Sequence, residues 1–342
     1  MRPFTYERAT SAAEAPRVAH DRGSWRADRQ VGAGVHYLAG GTNLLDLMKL
    51  GVMTPESLVD INDLQRELGT ITVGTDGLRL GALVRMSDAA GHPDVQRRYR
   101  VVHDALWQAA SPQLRNMASL GGNVLQRTRC NYFRDVSWPC NKRRPGSGCA
   151  AIDGANRRLA VLGVSDHCIA SYPGDLAVAL AALGAEVETL CDGDRRRTLP
   201  FEDLHRLPGD TPHLETTLEP GELITGFRVP YGPWLRRSLY LKVRDRESYD
   251  FALASAAVAL DLRDDGVVGA VRIGLGGLAA KPWRSRGAEA ALQGQRLDEA
   301  VARRAAEFAF ADAVVHGDNA FKPELGRRTL VRALLQAAAM EG

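Results

Sequence analysis

No run of apolar residues in this chain approaches the roughly 20 needed to cross a bilayer. The first residues, MRPFTYERATSAAEA, hold neither an apolar signal core nor a twin-arginine pair before one. The expectation is a chain with no membrane span and no export signal of its own: cytoplasmic, or periplasmic if co-exported with a partner subunit that carries the signal. An excess of one charge is missing too. The 44 Lys and Arg residues against 41 Asp and Glu leave a net charge of +3, which gives no general argument for nucleic acid or a membrane surface as partner. The glycines form neither a P-loop nor a G-x-G-x-x-G fingerprint. None of the eight histidines stands in a recognisable catalytic constellation, so no general base is assigned. There is no internal repeat.

What is present is ordinary for a globular protein: 45% hydrophobic and 25% charged residues. At 342 residues the chain is too long for one simple core and suggests two or three compact domains. Short apolar runs at 35–38, 58–61 and 78–82 read as strands, the last preceded by a turn at 74–77. A helix is expected over 44–50, with Thr42 and Asn43 offering N-caps, and others over about 101–110 and from Asp175 to Gly184. Residues 114–123 read as a small-residue, glycine-rich segment, and regular structure is expected to resume at 159–164 and again at 185–190. Pro230-Tyr231-Gly232-Pro233 marks a plausible boundary, giving domains 1–233 and 234–342. Beyond it, 239–243, 252–262 and 267–278 suggest a meander, followed by alanine-rich helices over 297–313 and 325–339. The fold class is α+β, with helices partly segregated toward the C-terminus.

Leu38-Ala39-Gly40-Gly41-Thr42-Asn43 is a strand, a glycine turn and a helix start. Backbone N–H groups in such a turn suit a diphosphate, since glycine lets the ligand approach closely; a tight turn with no ligand would look the same. Ser119-Leu120-Gly121-Gly122-Asn123 is a second glycine-pair loop. Two such loops say more than one, because a dinucleotide as long as FAD needs several backbone approaches.

Four of the five cysteines, Cys130, Cys140, Cys149 and Cys168, crowd into one stretch as C-x9-C-x8-C-x18-C; Cys191 follows in an expected strand and reads as a packing residue. The spacing has neither the close ligand pairs of zinc sites nor the tight run of bacterial ferredoxins. Alone it leaves metal, disulfides and buried thiols open. The stretch is basic as well, with Arg127, Arg129, Arg134, Lys142, Arg143 and Arg144 against Asp135. These charges read either as a solvated loop or as cations that offset thiolates or meet an acidic partner.

LAGGTNLLDLMK together with LRNMASLGGNVLQRTR resembles the flavin subunits of the xanthine dehydrogenase and aldehyde oxidoreductase family of molybdenum hydroxylases. PGDLAVALAALGA at 173–185, YLKVRDRESYDFALAS at 240–255 and GLGGLAAKPWR at 274–284 extend the likeness over nearly the whole chain. The resemblance implies a two-part FAD-binding region of the p-cresol methylhydroxylase type, then a small α+β domain like the CO dehydrogenase flavoprotein C-terminal domain. It implies that Ala39, Gly40, Gly41, Thr42, Asn43 and Leu44 wrap the FAD pyrophosphate. Ser119, Gly121, Gly122 and Asn123 would line a second flavin loop. Asp175 and Lys242 match family residues near the flavin; read alone, they are a helix N-cap and a strand-edge lysine.

Simpler members of the family pass quickly from the second glycine loop to the aspartate. Here an insertion over about 126–170 holds all four clustered cysteines. RTRCNYFRD, CNKRRPGSGC and SDHCIASYPGD within it resemble the aldehyde oxidoreductase branch whose flavin subunit binds a [4Fe–4S] cluster. That likeness implies Cys130, Cys140, Cys149 and Cys168 as ligands. It also implies a large molybdenum-cofactor subunit and a small [2Fe–2S] subunit as partners, with electrons leaving through FAD to an external acceptor. The flavin subunit of a related aromatic thioester reductase, a stand-alone FAD-dependent oxidase and a metal-stabilised scaffold remain the alternatives.

Overall fold

The structure, a computed structural model, describes residues 1–22 and 30–341. Three sheets organise them. The first is parallel, with β1 (Thr5–Arg8), β2 (Val35–Leu38) and β3 (Ser57–Asp60) in the order β1-β3-β2. All four residues of β3 are buried, as a central strand covered on both faces requires.

The second sheet is antiparallel, with β4 (Ile71–Val73), β5 (Gly77–Gly81), β6 (Glu186–Leu190), β7 (Arg196–Pro200) and β8 (Leu223–Pro230) in the order β4-β5-β8-β6-β7. The turn at 74–77 joins β5 to β4, a strand of three residues that is too short to show a period.

The third sheet, also antiparallel, holds β9 (Arg237–Val243), β10 (Ala254–Leu262), β11 (Val268–Gly276) and the short β12 (Trp283–Arg284) in the order β12-β11-β10-β9. It is the expected meander. Alternation along β10 feeds two cores: Ala257 and Ala259 join the one shared with the second sheet, while Ala256, Val258 and Leu260 meet the helices Glu299–Ala309 and Lys322–Ala338. Between the sheets lies helix Asp175–Leu183, whose nine residues are all buried; a helix apolar all round belongs inside a core. It ends at Gly184 in the left-handed conformation (φ 65°). It also lies directly on β11, where a Cβ at Gly274 would come within 2.5 Å of the Val178 carbonyl oxygen.

Several expectations need correcting. The glycine-rich segment 114–123, read with a glycine-pair loop at Ser119–Asn123, is instead parts of two short helices, Pro112–Met117 and Leu120–Val124. Ser111 Oγ accepts from Leu114 N–H and Ser119 Oγ from Gly122 N–H, at 3.3 and 3.2 Å, so side-chain capping outweighs the glycines. Helix Arg100–Trp107 ends before Pro112, which opens the next helix at a position that tolerates proline. The N-cap before Asp175 is Gly174, and Asp175 is the first helical residue. Residues 159–164 form no strand: Val161 and Leu162 N–H both reach the Leu278 carbonyl, and a single bridge joins Leu162 to Ala279.

Candidate functional site

The two glycine loops meet. A Cβ on Gly40 would lie 2.0 Å from the Met117 carbonyl oxygen, so only glycine lets the first loop press against the backbone that leads into the second. Gly41 adopts φ +71°, a conformation that favours glycine. Among the described residues, no backbone carbonyl accepts from the N–H groups of Gly40, Gly41, Thr42 or Asn43. They stay available to an anion. Asn43 stands at the N-cap position of helix Leu44–Lys49 but makes no cap bond. Its Oδ1 accepts instead from the N–H of Arg127, at 3.0 Å.

These loops line a cavity of about 310 Å³. Ala39, Gly40, Gly41, Thr42, Asn43 and Leu44 form one wall, and Ser119, Gly121 and Gly122 a second. Asn123 is not in the lining; its Nδ2 lies 3.4 Å from Met86 Sδ. Asp175 and Lys242 are not in the lining either. They form an ion pair of 2.8 Å, with side chains 5% and 1% exposed.

The remaining walls had no local signal in the sequence. His36 and Tyr37 come from β2, and residues 219–223 from the approach to β8. Tyr37 OH donates to the Gly221 carbonyl at 2.6 Å, closing these two walls together. Tyr172 OH donates to the Val124 carbonyl at 2.7 Å, and its ring meets His205 edge-on at 4.9 Å. Burial, with the Arg127 charge, pushes His36 down to about 3. Burial also pushes His205 down to about 4. Both rings are therefore neutral near pH 7.

His36 Nε2, Asn43 Nδ2 and His205 Nδ1 are buried with no hydrogen-bond partner, all on cavity-lining residues. Orphaned polar atoms around a glycine cradle fit a large polar ligand such as FAD.

The insertion supplies the last wall, through Arg127, Thr128, Lys142, Ala170 and Ser171. It is not a solvated loop. Arg127 and Lys142 pair with the same Glu215, Arg129 and Arg134 with Asp46, and Arg143 donates to the carbonyls of Tyr132, Phe133 and Trp138. Arg144 alone of these six cations is exposed.

Cys130, Cys140 and Cys168 are brought together in one core cluster beside helix Leu44–Lys49, with half-buried Cys149 packed against it, and all four are free thiols. Cys140 and Cys149 face each other across a β-bridge. Backbone N–H groups point at the sulfurs: Phe133 and Tyr132 at Cys130, Arg143 and Lys142 at Cys140, Ala151 and Ile169 at Cys149. Burial raises the thiols of these three, Cys130 to about 12. Ligation by a metal offsets that cost, and N–H···S bonds stabilise bound thiolates. Among the described residues, the three ligand atoms drawn mutually within 4.8 Å are those of Cys191, Glu219 and Glu222. The quartet is more open. A single tetrahedral zinc would hold its sulfurs about 3.8 Å apart, from bonds of about 2.3 Å. Four clustered free thiols, three buried and one half-buried, with no three sulfurs mutually within 4.8 Å, fit a polynuclear cluster better than one ion.

Comparison with known proteins agrees with this architecture. Residues 2–232 match the FAD binding domain in molybdopterin dehydrogenase, and residues 239–340 the CO dehydrogenase flavoprotein C-terminal domain. The chain is 46% identical over 340 residues to the aldehyde oxidoreductase FAD-binding subunit PaoB of Escherichia coli (strain K12), covering 99% of each. It is 26% identical to the glyceraldehyde dehydrogenase medium chain of Sulfolobus acidocaldarius, over 86% of this chain and 83% of that one. Its fold superposes on the carbon monoxide dehydrogenase from Hydrogenophaga pseudoflava with a TM-score of 0.75 and 26% identity, over 99% and 98% of the two chains. Among the described residues no helix is long and apolar enough to cross a membrane. The chain belongs to the FAD-binding medium subunits of the xanthine dehydrogenase and CO dehydrogenase family.

Proposed function

We propose that this chain is the FAD- and [4Fe–4S]-bearing electron-transfer subunit of a molybdenum-cofactor aldehyde oxidoreductase. It would accept electrons through a small [2Fe–2S] subunit from a large molybdenum subunit and deliver them to an external acceptor. The likeness to an aldehyde oxidoreductase subunit along the whole chain favours the aldehyde class. The observation that carries the reading is the clustering of four free cysteines, three buried and Cys149 half-buried, in the same insertion whose Arg127, Thr128, Lys142, Ala170 and Ser171 line the cavity that two glycine loops open.

Bound FAD supplies a group that takes up electrons singly or in pairs. The chain's own residues do the binding. The Gly40–Gly41 backbone leaves N–H groups for the diphosphate, and Asn43 and His36 offer polar atoms without other partners. The neutral imidazole of His36 places no second charge beside Arg127, and that of His205 none beside Lys142. Cys130, Cys140, Cys149 and Cys168 would hold the cluster, with the N–H groups of residues 132, 133, 142, 143, 151 and 169 around the sulfurs. Substrate chemistry belongs to the large subunit.

Anaerobic purification followed by an absorption spectrum and an iron assay tests this. One FAD and about four irons per chain are expected, the iron matching a [4Fe–4S] site. Colourless, iron-free protein would overturn the reading, and aldehyde turnover by the isolated chain would overturn its assignment as a subunit.

A further inference from the structure

We infer that Lys142 is the potential-setting residue of the four-cysteine site, a buried ammonium clamped by Glu215 between those thiols and the FAD cavity. The inference rests on the cluster assignment proposed above. Its starting point is position. Lys142 follows the ligand Cys140 by two residues, in a turn closed by Arg143 and Arg144 N–H on the Cys140 carbonyl at 3.1 and 2.7 Å. The backbone N–H of Lys142 itself points at the Cys140 sulfur. The side chain then reaches the cavity wall, 11% exposed, where Nζ lies 3.1 Å from Glu215 Oε1 and 3.0 Å from the Pro212 carbonyl.

That clamp is itself fixed. Gln30 Oε1 accepts from the N–H groups of both Glu215 and Thr216, at 2.7 and 3.0 Å, and His205 pairs with Thr216 across a β-bridge. The ammonium leaves the wall only by breaking its bonds to Glu215 and the Pro212 carbonyl.

Charge balance supplies the second argument. Arg127 and Lys142 share one carboxylate, so one positive charge is left over in a buried wall. A buried charge without an answering one is costly. The two cations face different neighbours. Arg127 is tied through its N–H to Asn43 and the first glycine loop, which suits the diphosphate. Lys142 is tied to Cys140, and the thiols of Cys168, Cys140 and Cys130 all act on its ammonium. Reduction of a thiolate-bound cluster adds one negative charge at that spot. A fixed cation in a poorly solvated site favours the added electron more than it would in water.

The test is a redox titration of the full-length, anaerobically purified protein, following the reduced cluster by electron paramagnetic resonance. Lys142→Met should lower the reduced-to-oxidised ratio at a fixed potential about tenfold, equivalent to about 59 mV for a one-electron couple, with iron and FAD contents unchanged. Lys142→Arg should restore the ratio to within about threefold, since the charge is kept. Glu215→Gln should move the ratio the opposite way, because it strips the neutralising carboxylate and keeps the cation. Opposite shifts from the two variants are something a purely structural role would not produce. Ratios within twofold of the parent in both variants, or shifts of the same sign, overturn the inference. Should Lys142→Met lose its iron, Glu215→Gln decides alone: a rise supports the inference and its absence overturns it. Iron-free parent protein would instead overturn the cluster assignment itself.

Discussion

Asp175 and Lys242, 67 residues apart in the chain, form a buried ion pair of 2.8 Å that fastens the central helix to β9 of the C-terminal domain. Tyr240 OH donates to the other carboxylate oxygen at 2.7 Å, and Lys242 Nζ also donates to the Gln108 carbonyl at 3.1 Å. Removing one partner strands the other charge in the core, which costs about 3–5 kcal/mol. Lys242→Met should therefore lower the thermal unfolding midpoint sharply. The double variant Asp175→Asn/Lys242→Met should recover much of the loss, because a neutral amide still accepts from Tyr240. A Lys242→Met protein as stable as the parent would show that the pair contributes nothing to the joint.

Gly40 offers a prediction about cofactor content rather than about general stability. Its added Cβ would meet the Met117 carbonyl at 2.0 Å, far inside van der Waals contact, so the two loops must part. Gly40→Ala should purify with less than a tenth of the parent's FAD, read as flavin absorbance against protein absorbance. Gly91→Ala is the matched control. It sits at the end of helix Met86–Gly91 with nothing within 4 Å of a new Cβ, and should keep its flavin and gain about 0.5–1 kcal/mol. Full flavin occupancy in Gly40→Ala would separate the loop contact from FAD binding.

The parts of the site that could be read in the sequence are those where a residue type is itself the constraint. Gly40 and Gly41 announce a close approach because no other residue fits, and cysteine crowding between 130 and 168 announces a shared site for the thiols. Asp175 was less transparent: as either helix cap or flavin neighbour it made sense, and its buried pairing with Lys242 depends on a strand 65 residues away. Glu215 carried no signal at all. It matters only because the insertion folds back so that Arg127 and Lys142 converge on it, and no local period encodes such a meeting. β8 was missed for a different reason. Its residues Leu223 to Phe227 are all buried, so it lacks the alternation that marks a half-exposed strand.

The buried histidines predict how stability responds to acid. His36 is held down to about 3 and His205 to about 4, both by burial, whereas an unfolded histidine titrates near 6.5. Below pH 6.5 the unfolded chain binds protons that the folded chain refuses, so stability falls as pH falls. Each histidine contributes a loss of about 1.4 kcal/mol per pH unit until its folded value is reached, and above pH 6.5 neither contributes to the slope. His36→Gln should flatten the decline of the unfolding midpoint between pH 6.5 and 4.5 while leaving the profile from 7 to 8 unchanged. Identical slopes for variant and parent would mean that His36 gains no proton on unfolding.

The fifth cysteine separates the ligand set from a mere count of thiols. Cys191 is buried, with its sulfur within 4.8 Å of carboxylate oxygens of Glu219 and Glu222, a group that could hold a metal by geometry. Those carboxylates already have cations. Arg197 reaches Glu219 and Glu222 at 3.0 Å each, and Arg195 pairs with Glu219. A divalent ion would have to displace two guanidinium groups, so this cluster is satisfied as it stands. Cys149, by contrast, packs half-buried against the core cluster that holds Cys130, Cys140 and Cys168, and none of the four has a disulfide partner. Cys149→Ser should cut iron per chain by more than half and bleach the broad visible absorbance. Cys191→Ser should leave iron at the parent value. Equal loss from both variants would mean that thiol number, not position, governs the iron, and unchanged iron in Cys149→Ser would remove that residue from the ligand set.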